Sequence, residues 1–278
     1  MVGLSPAHTA EIPGPYGPLE SLTRGSGQPC TLFVHGLGGS IDTTRPYAGL
    51  APGRQTFLHI AGHGTSSPPA EWTYRALAAE VWSAADEVQA TAALGISMGA
   101  GALCAGLARD PKRFEALVLI LPAPVDRPRS DKAAVAFEAL ATVVASGDVE
   151  AVTAHLVASE PATSAQDPRV LRWCRGQAER LMTGSAREAL ARMPGQRAVE
   201  DPEALRRVQA PVLILAAEGD PIHPVDAADR LAGLLPHADL EVLPEGGIMW
   251  AHRDRVRQRV GDFLAEHAQA GPNTTERE

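Results

Sequence analysis

"ATAALGISMGAGALCAGLARD", residues 90–110, changes character in mid-course. Its first eight residues form a short apolar run, broken only at Gly95, and read as a buried strand. From Met98 onward the residues are small, apolar and helix-forming until Pro111 stops them. The junction, Gly95-Ile96-Ser97-Met98-Gly99, is a G-x-S-x-G between a strand and a helix. A turn this sharp forces its central residue into a strained conformation and lifts the Ser97 hydroxyl clear of the sheet edge. Side chains at 95 and 99 would collide with neighbouring backbone, which glycine avoids. The helix opening at Met98 aims its first amides at the same point, where they can stabilise a developing oxyanion. The bare motif arises often by chance; the strand before it and the helix after it give it weight.

Working outward, "CTLFVHG" (30–36) and "QTFLHIAGHG" (55–64) read as earlier strands. "EWTYRALAAEVWSAADEVQ" (71–89) spaces Trp72, Leu77, Val81, Trp82 and Val88 as a helix does. "FEALVLILPAP" (114–124) is a further strand. Upstream, "PLESLTRGSGQP" (18–29) holds a strand and a turn within a Pro- and Gly-rich opening. This alternation of strands and helices predicts an α/β protein, its parallel sheet covered by helices on both faces. Residues 124–208 contain no convincing strand and read as helices around 131–146, 148–158, 168–182, 185–192 and 202–207. Alternation then resumes with a strand at 211–220, a helix at 224–236, a strand at 238–247 and a helix at 252–268. The expected organisation is a core of 1–123 and 209–270, a helical cap at 124–208, and a disordered tail at 271–278.

Two further stretches carry chemistry. "FVHGLGGS" (33–40) is a Gly-rich loop at the end of a strand, able to lend the Leu37 amide to the same oxyanion as Met98. It lacks G-x-x-x-x-G-K-[ST] and the third Gly of G-x-G-x-x-G, so it does not read as a phosphate or dinucleotide loop. "AAEGDPIHP" (216–224) places Asp220 after a strand in a loop turned by prolines, where a carboxylate can orient a histidine ring or simply cap the next helix.

The stretches "HGLGG" (35–39), "AGHGTS" (61–66), "GISMG" (95–99) and "EGDPIHP" (218–224), with a helical block before the last, resemble the α/β-hydrolase fold over nearly the whole chain. The resemblance implies an eight-stranded, mostly parallel sheet, with Ser97 as nucleophile, Asp220 as acid, and the amides of Leu37 and Met98 as oxyanion hole. It implies no metal and no organic cofactor, and makes His35, beside Gly36, and His63 supports of the loops. In that family the base follows the last strand as Gly-His. Here "LPEGGIMWAHRDRV" (243–256) puts Ile248 after Gly247, then Met249 and Trp250, and offers His252 four residues late. If 248–252 is coiled, the gap is about 6 Å; if extended, about 13 Å. His252 therefore serves only from a coiled segment. His223 flanks the site, but its nearness to Asp220 in sequence argues against its bridging to Ser97.

Bulk composition narrows the partners. The 278 residues are 45% hydrophobic, enough for a full core. A net charge of −8 with no Lys/Arg block argues against nucleic acid. No apolar run approaches the ~20 residues that span a membrane. Three widely spaced cysteines without C-x-x-C read as free thiols in a reducing compartment, and the N-terminus has no secretory pattern, so the expected location is cytoplasmic. The expected partner is a small molecule. The leading expectation is a serine hydrolase of a small apolar ester, thioester or lactone, with the catalytic set Ser97, Asp220 and His252, and Trp173 of the cap near the site. The alternatives are a lyase, cyclase or isomerase on the same scaffold, and a disabled or binding protein in which Ile248 replaces the base.

Overall fold

The computed structural model describes residues 9–129, 131–162 and 164–268; the tail expected at 271–278 lies outside them. Eight strands form one sheet: β1 (Ala10–Ile12), β2 (Leu19–Arg24), β3 (Cys30–Val34), β4 (Arg54–Leu58), β5 (Ala92–Ile96), β6 (Ala116–Ile120), β7 (Val212–Ala217) and β8 (Ala238–Leu243). Their order is β1-β2-β4-β3-β5-β6-β7-β8. The pairs β1/β2 and β2/β4 are antiparallel, and the other five are parallel.

The central strands are apolar throughout because both faces are covered. Side chains alternate between two cores with period 2. Leu117 and Leu119 of β6, and Val212 and Ile214 of β7, face the helices α2 (Tyr74–Glu87), α3 (Met98–Leu107) and α8 (Val225–Leu234). Val118, Ile120, Leu213 and Leu215 face α1 (Ile41–Thr44) and α9 (Arg253–His267). Each such Leu or Ile, taken fully out of water, contributes roughly 1.5–3 kcal/mol before entropy is subtracted. The Phe33 and Phe57 rings stack across β3 and β4 at 4.7 Å.

Between β6 and β7 the chain leaves the sheet and runs through α4 (Asp131–Ala145), α5 (Val149–Ala158), α6 (Pro168–Leu181) and α7 (Gly184–Arg192), then a short 3₁₀ helix at Pro202–Arg207. These helices own a small core, Val144, Val152, Ala178, Leu181 and Leu190, against which Leu37 of the Gly-rich loop packs. The inserted helices thus lie against the loop after β3. The three cysteines are free and buried. Among the described residues no helix is long and apolar enough to cross a membrane.

Candidate active site

Ser97 stands at the turn from β5 into α3 with φ +50° and ψ −108°, a conformation that L residues adopt only under constraint. The constraint is visible. The Ser97 amide donates to the Ile120 carbonyl at 3.0 Å, and the Ser97 carbonyl accepts from Gly101 at 3.0 Å. A Cβ on Gly99 would lie 2.5 Å from the Val34 carbonyl oxygen, and one on Gly95 would lie 2.7 Å from the Ala100 nitrogen. No larger residue fits either place without moving backbone. Gly36 approaches the elbow from the end of β3, its Cβ position 3.2 Å from Ser97 Cβ.

The loop 36–38 is pinned from beneath by two buried histidines. Ile60 N–H donates to His35 Nε2 at 3.2 Å, so the ring proton sits on Nδ1 and donates to the Gly36 carbonyl at 2.7 Å. Gly38 N–H donates to His63 Nε2 at 3.1 Å, and His63 Nδ1 donates to the Ala61 carbonyl at 2.9 Å. Both rings are needed neutral. Burial holds the imidazole of His35 well below its ordinary range and that of His63 at about 4. From the inserted helices, Arg180 Nε donates to the Gly38 carbonyl at 2.8 Å. The amides of Leu37 and Met98 donate to no group among the described residues.

The loop after β7 brings the remaining groups to Ser97. Pro221 turns the chain so that Asp220 Oδ1 accepts from the amides of Ile222 at 2.8 Å and His223 at 2.9 Å. Asp220 Oδ2 accepts from His223 Nδ1 at 3.0 Å, and His223 Nε2 lies 2.7 Å from Ser97 Oγ. Burial works against the charge on Asp220, but the His223 ring and the two amides outweigh it and hold the carboxyl at about 2. Arg129, at the base of the inserted helices, donates through Nη1 to the Ile222 carbonyl at 2.7 Å, and its guanidinium lies 4.4 Å from the Phe137 ring centroid. It ties the 220–223 loop to the insertion.

His252 is elsewhere. The residues after β8 do coil, as a π-helical turn at Gly247–Ala251, so the condition for its reach is met. Yet its ring Nε2 donates to the Pro244 carbonyl at 2.8 Å, and it hydrogen-bonds to neither Ser97 nor Asp220. The expectation of His252 as Ser97's partner is therefore corrected to His223. The physical reason is the turn at Pro221, which brings residues i and i+3 together and leaves the outer ring nitrogen facing the elbow. Ile248 is 6% exposed and packs in the core under α9, where an imidazole would be dry. Met249 packs at the margin of that core. Trp250 Nε1 donates to Glu160 Oε2 at 2.9 Å, and its ring meets Trp173 edge-on at 6.0 Å. Burial, reinforced by the charge of Asp220, raises the Glu160 carboxyl above its ordinary range, against the pull of the Trp250 N–H. Asp226 is an exposed first-turn residue paired with Arg230 at 2.5 Å. Among the described residues no group of three or more His, Cys, Asp or Glu is placed to hold a metal ion.

The sequence model of the alpha/beta hydrolase fold matches residues 31–249. The chain belongs to that family. No curated protein matches it. Among solved structures, an esterase from Thermogutta terrifontis is 20% identical, with a TM-score of 0.74 over 95% of this chain and 100% of that one. The carboxylesterase CesB of Bacillus subtilis is also 20% identical, at TM-score 0.78 over 94% and 92%. The naproxen esterase of the same organism is 20% identical, at 0.76 over 93% and 92%. Within this alpha/beta hydrolase, sequence reasoning finds the elbow, the Gly-rich loop and the carboxylate. It weighs His223 and prefers His252. It misses Arg129 and Glu160, for which no local motif exists.

Proposed function

We propose that the protein is a serine hydrolase acting through an acyl-enzyme on small, largely apolar esters, thioesters or lactones, with Ser97, His223 and Asp220 as its relay. The observation that carries this reading is the unbroken chain Ser97 Oγ to His223 Nε2 (2.7 Å) to Asp220 (3.0 Å) at a strained elbow. Asp220 holds the Nδ1–H tautomer, which leaves the Nε2 lone pair facing the serine hydroxyl. As Ser97 Oγ bonds to the substrate carbonyl carbon, His223 takes the hydroxyl proton and the carbonyl oxygen gains charge. The amides of Leu37 and Met98, free of other partners among the described residues, receive that oxyanion. Collapse expels the alcohol or thiol, which leaves with the proton from His223. Water, deprotonated by the same ring, then attacks the acyl-Ser97 ester and releases the acid. The names of the structural neighbours, esterases, agree with the reaction class.

Treatment with a fluorophosphonate probe, with peptide mapping afterwards, tests the reading. Ser97 is the expected site of covalent labelling. Ser97→Ala is expected to lose both labelling and p-nitrophenyl acetate turnover. A fully folded protein that neither labels at Ser97 nor hydrolyses the ester refutes the proposal.

A further inference from the structure

Away from Ser97, between α9, β2 and the short segment after α1, lies a groove of about 350 Å³. Four arginines line it: Arg24 from β2, Arg45 from the 3₁₀ turn Arg45–Ala48, and Arg253 and Arg257 from the first turns of α9. Among the described residues the only carboxylate lining it is Asp42, whose Oδ1 pairs with Arg45 Nη1 at 3.0 Å. Among the described residues, Arg24, Arg253 and Arg257 have no ion-pair partner, and the Nε atoms of Arg253 and Arg257 are shut off from solvent with nothing to donate to. This is a costly arrangement in a chain whose net charge is −8. Like charges at close range repel, buried donors without acceptors are costly, and Arg253 adds a cation to the positive end of a helix dipole.

The groove is also prepared. Arg24 Nε donates to Gln55 Oε1 at 2.5 Å, and the Phe57 ring lies 5.2 Å from its guanidinium carbon. Gln55 is in turn held by donating to the carbonyls of Ala48 at 3.0 Å and Ala51 at 2.5 Å. Arg24 is therefore fixed without any acid. Burial, with the neighbouring charges of Arg45 and Arg257, lowers its affinity for its own proton. Gly49 lets the Arg257 guanidinium lie against the backbone, where a Cβ would strike it.

We propose that this groove binds the phosphate group of a small soluble molecule, with Arg253 and Arg257 as its principal donors and Arg24 and Arg45 completing the charge. Planar guanidinium forks match tetrahedral phosphate oxygens with paired hydrogen bonds. One dianion offsets two of the three net positive charges of the lining, accepts from the guanidinium forks and ties α9 to the segment after α1. The inference stands apart from the ester chemistry at Ser97.

Thermal melting of the full chain in sodium phosphate, against sodium chloride of equal ionic strength, tests it. The expected result is a saturable rise in Tm with phosphate and with glycerol 3-phosphate, in the millimolar range, that Arg253→Gln/Arg257→Gln abolishes. In chloride alone the double variant is expected to melt at or above the parent, because removed like charges no longer repel. If that variant does not fold, Arg45→Gln, whose side chain is 43% exposed, must weaken the phosphate response instead. An equal response in parent and variants, no saturable response in the parent, or binding to phosphatidate vesicles without binding to free phosphate overturns the proposal.

Discussion

His223 lies three residues beyond the carboxylate that orients it, and this nearness is what makes the pair rigid. Asp220 uses one oxygen on two loop amides and the other on the ring, so a single turn fixes the position, the tautomer and the charge together. On the proposed mechanism, His223→Ala lowers kcat for p-nitrophenyl acetate by roughly 10⁴-fold or more, with the far-UV circular dichroism of the parent. His252→Ala, which removes only a hydrogen bond to Pro244, changes kcat less than threefold or so, within about 1 kcal/mol. Comparable losses in the two variants would reject the assignment. Ser97 and Asp220 are legible in the sequence because each sits at the end of an apolar strand with turn residues beside it. His223 is not, because separation along the chain is a poor measure of reach. A proline-directed turn makes i and i+3 neighbours, and "DPIH" spells such a turn.

At the scale of elements, β8, the π-helical turn and α9 form a structural unit in which Ile248 is the wedge. Its side chain joins Leu243, Val256 and Val260 in the core under α9. Ile248→His therefore places an imidazole in an apolar site without a partner. The expected outcome is a loss of about 1–3 kcal/mol in urea unfolding and no gain in ester turnover. A marked gain in turnover would contradict both the burial of residue 248 and the role given to His223. The strands are readable here because β3, β5, β6 and β7 are continuous apolar runs. β1, at three residues with Glu11 at its centre, carries too little pattern to be seen. Arg129 and Glu160 come from segments far along the chain from the groups they touch, and only tertiary packing brings them there.

Across the whole molecule, buried ionisable groups set the pH range of stability. His63 is held at about 4 by burial, below its ordinary 6.5, so its contribution is present above pH 6.5 and is lost as pH falls through 4. His35 acts in the same direction. Glu80 works oppositely. Its Oε2 accepts from Ala61 N–H at 3.0 Å, its Oε1 has no partner among the described residues, and burial raises it to about 8. Its native proton is an asset below pH 4.5 that is lost as pH rises through 8. Above pH 6.5, where the histidines no longer change charge, Glu80 alone of these groups lowers stability as pH rises. Between about pH 6.5 and 8 the parent is expected to lose about 2 kcal/mol, and Glu80→Gln is expected to lose much less. Urea midpoints at the two pH values decide this, and parallel slopes for the two proteins would exclude Glu80 as the cause.

The 220–223 loop has one more consequence. If acid and base share a single turn, every reacting group is encoded by residue 223. The later strand and helices are then scaffold alone. Polypeptide breaks or transplanted segments beyond α8 would test assembly rather than chemistry.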